Sequence, residues 1–174
     1  MDAMQAMLTR RSVRKYKDIP VPQDVMDKII EAGTYAASAK NRQPWLILAV
    51  TNKELIERLS YMNCSFMNAD RATYDPFFGA PALLIVLAQK DVPTRAYDGS
   101  LVMGNLMLAA HAMGLGSCWV NRAYEEFETE EGKQILRDLG IEGEYEGVGH
   151  VTLGYADGPI REAAPRRDCV VYVK

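Results

Sequence analysis

An α+β fold in one domain is predicted by three features of the sequence. Short, continuous apolar runs at Leu46–Val50 and Ala82–Ala88 read as buried strands. Stretches with helical spacing lie between and after them, but without the strict strand–helix–strand repetition of a doubly wound sheet. The length, 174 residues, suits a single core, since a domain of this size buries roughly 70% of the surface its unfolded chain exposes. No shift in composition marks a boundary, so residues 1–174 are read as one domain.

The elements follow in order. Asp2 with Gln5 resembles a capping box that opens a short helix carrying Ala3, Met4, Met7 and Leu8 on one face. Lys17 to Pro22 is extended, because each proline disfavours helix at the residue before it. Pro22 suits the first turn of a helix from about Gln23 to Ala37, with an apolar stripe of Val25, Ile29, Ala32 and Ala36. After the Leu46–Val50 strand, Asn52 caps a helix through about Met62. Asn63 to Gly79 reads as irregular, and the Ala82–Ala88 strand follows. A long helix from about Tyr97 to Met113 ends at Gly114. It is apolar nearly all round, so it needs cover on most faces, and a second subunit is the natural cover. Ser117–Val120 is a short strand, and Thr129 caps a polar helix to Leu139. Glu146–Leu153 and Cys169–Val173 are two further strands.

Composition narrows the function. Charged residues make up 25% and the net charge is −3, so no global attraction toward nucleic acid or anionic membrane exists. The most apolar stretch, Leu101 to Leu115, is interrupted by Asn105 and His111 and falls short of the about 20 apolar residues that span a bilayer. Three cysteines without CxxC spacing, and no charged-then-apolar leader, lead us to expect reduced thiols and a cytoplasmic location. Two histidines, neither in an HExxH arrangement, predict no metal site. Gly114-Leu-Gly-Ser-Cys-Trp begins like a dinucleotide fingerprint but lacks the third glycine and follows a helix. No phosphate loop of the GxxxxGK[ST] type and no GxSxG elbow is present.

Three segments could carry chemistry. Arg10, Arg11, Ser12 and Arg14 place three guanidinium groups and a hydroxyl within five positions, a set that binds phosphate with charge assistance. A second basic pair, Arg166 and Arg167, follows Pro165. Ser38, Asn41 and Gln43, before Pro44 and Trp45, supply donors and acceptors that suit a ring edge bearing carbonyls and nitrogens. The glycines before Cys118, Trp119, Val120 and Asn121 let backbone approach a flat ligand. Read one at a time, each has an ordinary structural explanation: a solvated basic face, a polar loop, and a helix stop before a strand.

Taken in order, these pieces resemble the nitroreductase family of FMN-dependent oxidoreductases. The resemblance rests on Arg-Arg-Ser-Val-Arg-Lys-Tyr from residue 10, Ser-Ala-Lys-Asn-Arg-Gln-Pro-Trp from residue 38, and Gly-Ala-Pro-Ala-Leu-Leu-Ile-Val at 79–86. The run from Asn105 to Val120 and Gly149-His-Val-Thr-Leu-Gly-Tyr complete it. It implies a mixed central sheet flanked by helices and an intertwined homodimer with FMN at the interface. It further implies that Arg10, Ser12 and Arg14, with Arg11 close by, hold the phosphate and ribityl chain. Ser38, Asn41 and Gln43 would line the flavin, with Ser38 reaching across from the other subunit. Cys118 to Asn121 would pass the ring, and Arg166 and Arg167 would close on the phosphate. NADH or NADPH would donate a hydride through the flavin to an electron-poor acceptor such as a nitroaromatic or quinone, with no side-chain nucleophile. Tyr74, Phe77 and Phe78 are candidates to cover that acceptor. The chain departs from the family where Ala37 replaces a frequent proline, and where Asn121 or Arg122 stands for a glycine near the flavin. Other readings are reductive dehalogenation on the same fold and a flavin sensor or store without turnover.

Overall fold

A computed structural model describes residues 1–174. In chain order the elements are α1 (Ala3–Thr9), α2 (Gln23–Thr34), β1 (Trp45–Val50), α3 (Lys53–Met67), β2 (Ala82–Gln89), α4 (Arg95–Ala112), β3 (Gly116–Val120), α5 (Ala123–Glu128), α6 (Glu130–Asp138) and β4 (Tyr145–Gly154). The four strands form one sheet in the order β1-β2-β4-β3, and every adjacent pair is antiparallel. A parallel pairing exists only as an isolated bridge between Ser12 and Ser117. The mixed sheet expected from the resemblance thus reduces, within this chain, to an antiparallel sheet with that one parallel bridge.

β2 shows why its sequence reads as a continuous apolar run. Ala82 to Ala88 are each fully buried. Alternate side chains point to opposite faces of a strand. Ala82, Leu84 and Val86 pack on one face against Val102, Met103 and Leu106 of α4 and Met26 and Ile29 of α2. Leu83, Ile85 and Leu87 pack on the other against Leu59 of α3, Phe127 of α5, and Ile135 and Leu136 of α6. A strand covered on both faces has no reason to alternate.

Three helix starts follow from local chemistry. The Gln5 N–H donates to Asp2 Oδ1 at 2.8 Å, the Leu55 N–H to Asn52 Oδ1 at 2.8 Å, and the Gly132 N–H to Thr129 Oγ1 at 3.0 Å. Other expectations need correction. α3 runs five residues past Met62, to Met67, and closes on Asn68 in the left-handed conformation (φ 50°). Asn63 and Cys64, expected in an irregular stretch, are buried within it. α2 buries Met26, Ile29 and Gly33, so the apolar stripe is rotated from the expected one. Gly33 sits so close to α4 that a Cβ there would lie 2.5 Å from Leu106 Cδ2. The Cys169–Val173 segment is not a strand, and Val170 to Val173 are exposed. Its β-branched composition has strand propensity, but a strand exists only by pairing, and no strand of this chain pairs with it.

α4 meets half of its expectation. Val102, Met103, Leu106, Met107 and Ala110 are buried. The opposite face stays open: Tyr97 is 75% and Leu101 51% exposed, and a Cβ on Gly104 would meet nothing within 4 Å.

Candidate functional site

The arginine run is an extended segment clamped between β3 and the chain that leaves β4. The Val13 N–H donates to the Ser117 carbonyl of β3 at 3.0 Å. The Lys17 N–H donates to the Tyr155 carbonyl and the Asp157 N–H to the Lys15 carbonyl, which joins the run to the chain leaving β4. Buried Tyr16 donates to the Val13 carbonyl at 2.8 Å and lies 2.7 Å from Thr152 Oγ1. Burial pushes its phenol far up, so it stays neutral. Gly116 lets this clamp close, because a Cβ there would lie 2.7 Å from Val13 Cγ2.

The clamp frames a cleft of about 220 Å³ lined by Ser12, Arg14, Lys15, Asp157 and Arg161, among others. That is below the roughly 300–1,000 Å³ of small-molecule sites, so it suits one end of a ligand. Lys15 Nζ is 2.6 Å from Asp157 Oδ2, and this pairing holds the Asp157 carboxyl below its ordinary range. Arg10 and Arg11 precede Ser12 and do not themselves line this cleft. The Thr9 hydroxyl donates to the Gln5 carbonyl at 2.6 Å and sits 2.8 Å from His111 Nε2 near the end of α4. Burial, then the charges of Arg10 and Arg11, lower the His111 pKa. Arg11 Nη1 donates to the Leu8 and Arg10 carbonyls, whereas Arg11 Nε and Arg10 Nη1 are buried without a partner.

Ser38, Asn41 and Gln43 share one tight loop. The Gln43 N–H donates to Ser38 Oγ at 3.1 Å and Gln43 Nε2 to Asn41 Oδ1 at 2.9 Å. Lys40, Asn41 and Gln43 all take positive φ (55°, 54° and 48°). Left-handed backbone in non-glycine residues costs energy and clusters at functional sites. The loop is tied to the first turn of α4, where Asp98 Oδ1 accepts the Ala39 N–H at 3.1 Å. From Asp98 to His111 the helix rises about 20 Å. The Ser38 loop and the arginine run therefore stand at opposite ends of α4 within one chain.

Cys118 to Asn121 leave the arginine run along β3, an edge strand of the sheet. Cys118 is buried, with Thr152 Oγ1 donating to its carbonyl at 3.2 Å. Trp119 and Val120 are half-buried and Asn121 is exposed. Arg122 then takes φ 84° and ψ −1°, so the residue standing in the glycine-like conformation is Arg122 and not Asn121.

The remaining candidates divide. Arg166 and Arg167 are exposed and do not line the cleft; Arg161 does. Arg161 has no local sequence signal beyond a lone basic residue after Gly158-Pro159-Ile160; only the path of the chain brings it to the cleft. Phe77 is 1% exposed and meets the His150 ring edge-on at 5.1 Å, so it fills the core and does not cover an acceptor. Phe78 packs against the Val13–Tyr16–Ala80 cluster, and Tyr74 is exposed. No group of three or more His, Cys, Asp or Glu is arranged to hold a metal ion, and no helix is long and apolar enough to cross a membrane.

A model of the Nitroreductase family matches residues 7–155. The chain belongs to the nitroreductase family. A protein of Methanothermobacter thermautotrophicus, provisionally named NADH dehydrogenase/NAD(P)H nitroreductase, is 34% identical over 124 residues, 68% of this chain and 60% of that protein. A protein of the same provisional name from Archaeoglobus fulgidus is 29% identical over 161 residues, 88% of this chain and 85% of the relative. Among solved structures, a nitroreductase with bound FMN from Bacteroides fragilis superposes with a TM-score of 0.89 at 27% identity, covering all of both chains. The nitroreductase match ends at Tyr155, so Arg161, Arg166 and Arg167 lie beyond it.

Proposed function

We propose that this nitroreductase-family chain binds FMN and, as an intertwined homodimer, passes a hydride from NADH or NADPH to an electron-poor small molecule such as a nitroaromatic or quinone. The observation that carries the reading is the pair of buried, unpartnered guanidinium nitrogens, Arg10 Nη1 and Arg11 Nε, beside Ser12. A buried donor without an acceptor costs about 1–3 kcal/mol, more when charged. A phosphate offers charge-assisted acceptors that remove this penalty, and the neighbouring cleft has room for a phosphate-bearing tail. FMN supplies such a tail, and the FMN bound to the Bacteroides fragilis structure supports the choice.

The separation along α4 supports the dimer. Two α4 helices packed antiparallel about a two-fold axis bring the Ser38 loop of one chain to the arginine run of the other. Tyr97, Leu101, Gly104 and Leu108 recur at helical spacing on the less buried side of α4, and Met4, Met7 and Leu8 of α1 are exposed nearby. The strand-prone, exposed Val170–Val173 arm suits pairing with a second copy.

When bound, FMN would supply the two-electron hydride-transfer chemistry between nicotinamide and acceptor. The chain's residues bind and orient it. Arg10, Arg11, Ser12 and Arg14 would hold the phosphate and ribityl end, with Arg161, which lines the same cleft, in place of Arg166 and Arg167. Ser38, Asn41 and Gln43 offer polar groups to the ring edge, and Cys118–Asn121 present backbone to its face. An absorption spectrum of the purified protein tests the reading. Flavin bands that bleach on adding NADH without oxygen are expected. A colourless protein that neither binds added FMN nor consumes NADH overturns it.

A further inference from the structure

A polar network is buried behind the β3–α5 turn, in a core that is otherwise apolar. Asn63 of α3, Glu126 of α5 and His150 of β4 are each fully buried. Both N–H bonds of the Asn63 amide are used: Nδ2 donates to the Asn121 carbonyl at 2.8 Å and to Glu126 Oε1 at 2.6 Å. His150 Nε2 lies 2.9 Å from Glu126 Oε2. Both acceptors of Asn63 are oxygens, which leaves one consistent orientation for its amide. β-Sheet register places His150 directly across from Val120.

We propose that Asn63, held by the Glu126–His150 pair, is the positioning residue that sets the Asn121–Arg122 backbone against the flavin. The inference rests on the reading of Cys118–Asn121 as the segment that passes the ring. Arg122 holds a left-handed conformation (φ 84°) that a non-glycine side chain rarely takes. Such a conformation persists only where its surroundings over-determine it. Asn121 is otherwise exposed, and the Asn63 bond to its carbonyl is a side-chain restraint on the residue that precedes Arg122. The buried His150 ring beside Glu126 confines its carboxylate to one geometry. That geometry fixes the direction of the Asn63 amide. The carboxylate takes one of its N–H bonds and leaves the other for the turn. The short helix α5 cannot drift from this arrangement, because Gly147 lets its first turn press directly on β4.

The test removes the restraint and then removes the need for it. N63L keeps the branched heavy-atom shape and loses both hydrogen bonds; R122G makes the left-handed turn free of strain. Amide hydrogen exchange of the FMN-free protein reads the turn without any cofactor. N63L is expected to speed exchange at residues 121–123 by about tenfold while β2 stays protected. In FMN-loaded protein it is expected to slow flavin reduction by NADH with the nicotinamide KM little changed. The double variant N63L/R122G is expected to recover the reduction rate. Exchange at 121–123 that is unchanged, or a reduction rate that R122G does not restore, overturns the proposal and leaves Asn63 a core residue only. If N63L does not fold, N63S, which is too short to reach both acceptors, is put through the same measurements. Failure of the wild-type protein to bind FMN would count against the flavin reading alone, because the exchange measurement does not depend on it.

Discussion

Substituting Gly147 with alanine should cost far more than substituting Gly33, although both glycines are buried. At Gly147 the new Cβ would overlap the carbonyl of Ala123 and lie 2.7 Å from the Tyr124 nitrogen. These are backbone atoms of the first turn of α5, and no rotamer change moves them. At Gly33 the clash is with Leu106 Cδ2 at 2.5 Å and Cγ at 2.9 Å, parts of a side chain that can rotate. Overpacking a core costs typically about 1–3 kcal/mol, and a backbone clash sits at or above the top of that range. We therefore expect G147A to lose about 3 kcal/mol or more. A domain of this size shifts by roughly 2–4 °C per kcal/mol, so its Tm should fall by about 6–12 °C. In G33A the overpacking is partly offset by the roughly 1 kcal/mol that alanine gains over glycine inside a helix, so its net loss should stay under about 2 kcal/mol. Urea unfolding of both variants, followed by far-ultraviolet circular dichroism, provides the comparison. A G147A protein within about 1 kcal/mol of wild type would mean that α5 is not seated on β4 as described. The Asn121–Arg122 turn would then lack its support.

Three further expectations follow from the site. R10A removes one of the two unpartnered buried guanidinium nitrogens beside Ser12 and should weaken FMN binding by about 10–100-fold; fluorescence titration should show riboflavin, which lacks the phosphate, far less affected, and an equal loss for both would refute a phosphate role. L101R places a charge on the open face of α4 and should yield a monomer in analytical ultracentrifugation that also fails to hold FMN. A monomer with full FMN affinity would refute a site built from two chains. The lowered His111 pKa means that the unfolded chain binds the proton more readily than the folded one. Stability is therefore full above its ordinary value of 6.5 and declines as pH falls through that value toward the lowered one. H111N should flatten the dependence of the urea midpoint between about pH 5 and 7, and an unchanged slope would assign the effect to other groups.

The sequence by itself determined what depends on neighbours a few residues away. Asp2, Asn52 and Thr129 cap helices because the donor each satisfies is three residues on. β2 and the buried side of α4 were legible because burial on both faces leaves a continuous apolar run. The five ordered segments were also enough to mark the family, since each combines residue types with a fixed place in the chain. The tertiary structure decided whatever needs a partner distant in sequence. α5 was not legible because its six residues span under two turns and bury Glu126 between Ala123 and Phe127, a residue type that reads as exposed, while Gly147 and Gly132 let other backbone approach it closely. Cys169–Val173 has the composition of a strand, but pairing, not propensity, makes a strand. Arg161 reaches the cleft and Arg166 and Arg167 do not, because the path of the chain after β4 sets which cation arrives. Ser38 and Arg10 are equally prominent in the sequence, yet the length of α4 holds them at opposite ends of a rigid rod. A hydrogen bond reaches about 3 Å and a helix of this length about 27 Å, so capping could be read locally and the assembly of the site could not.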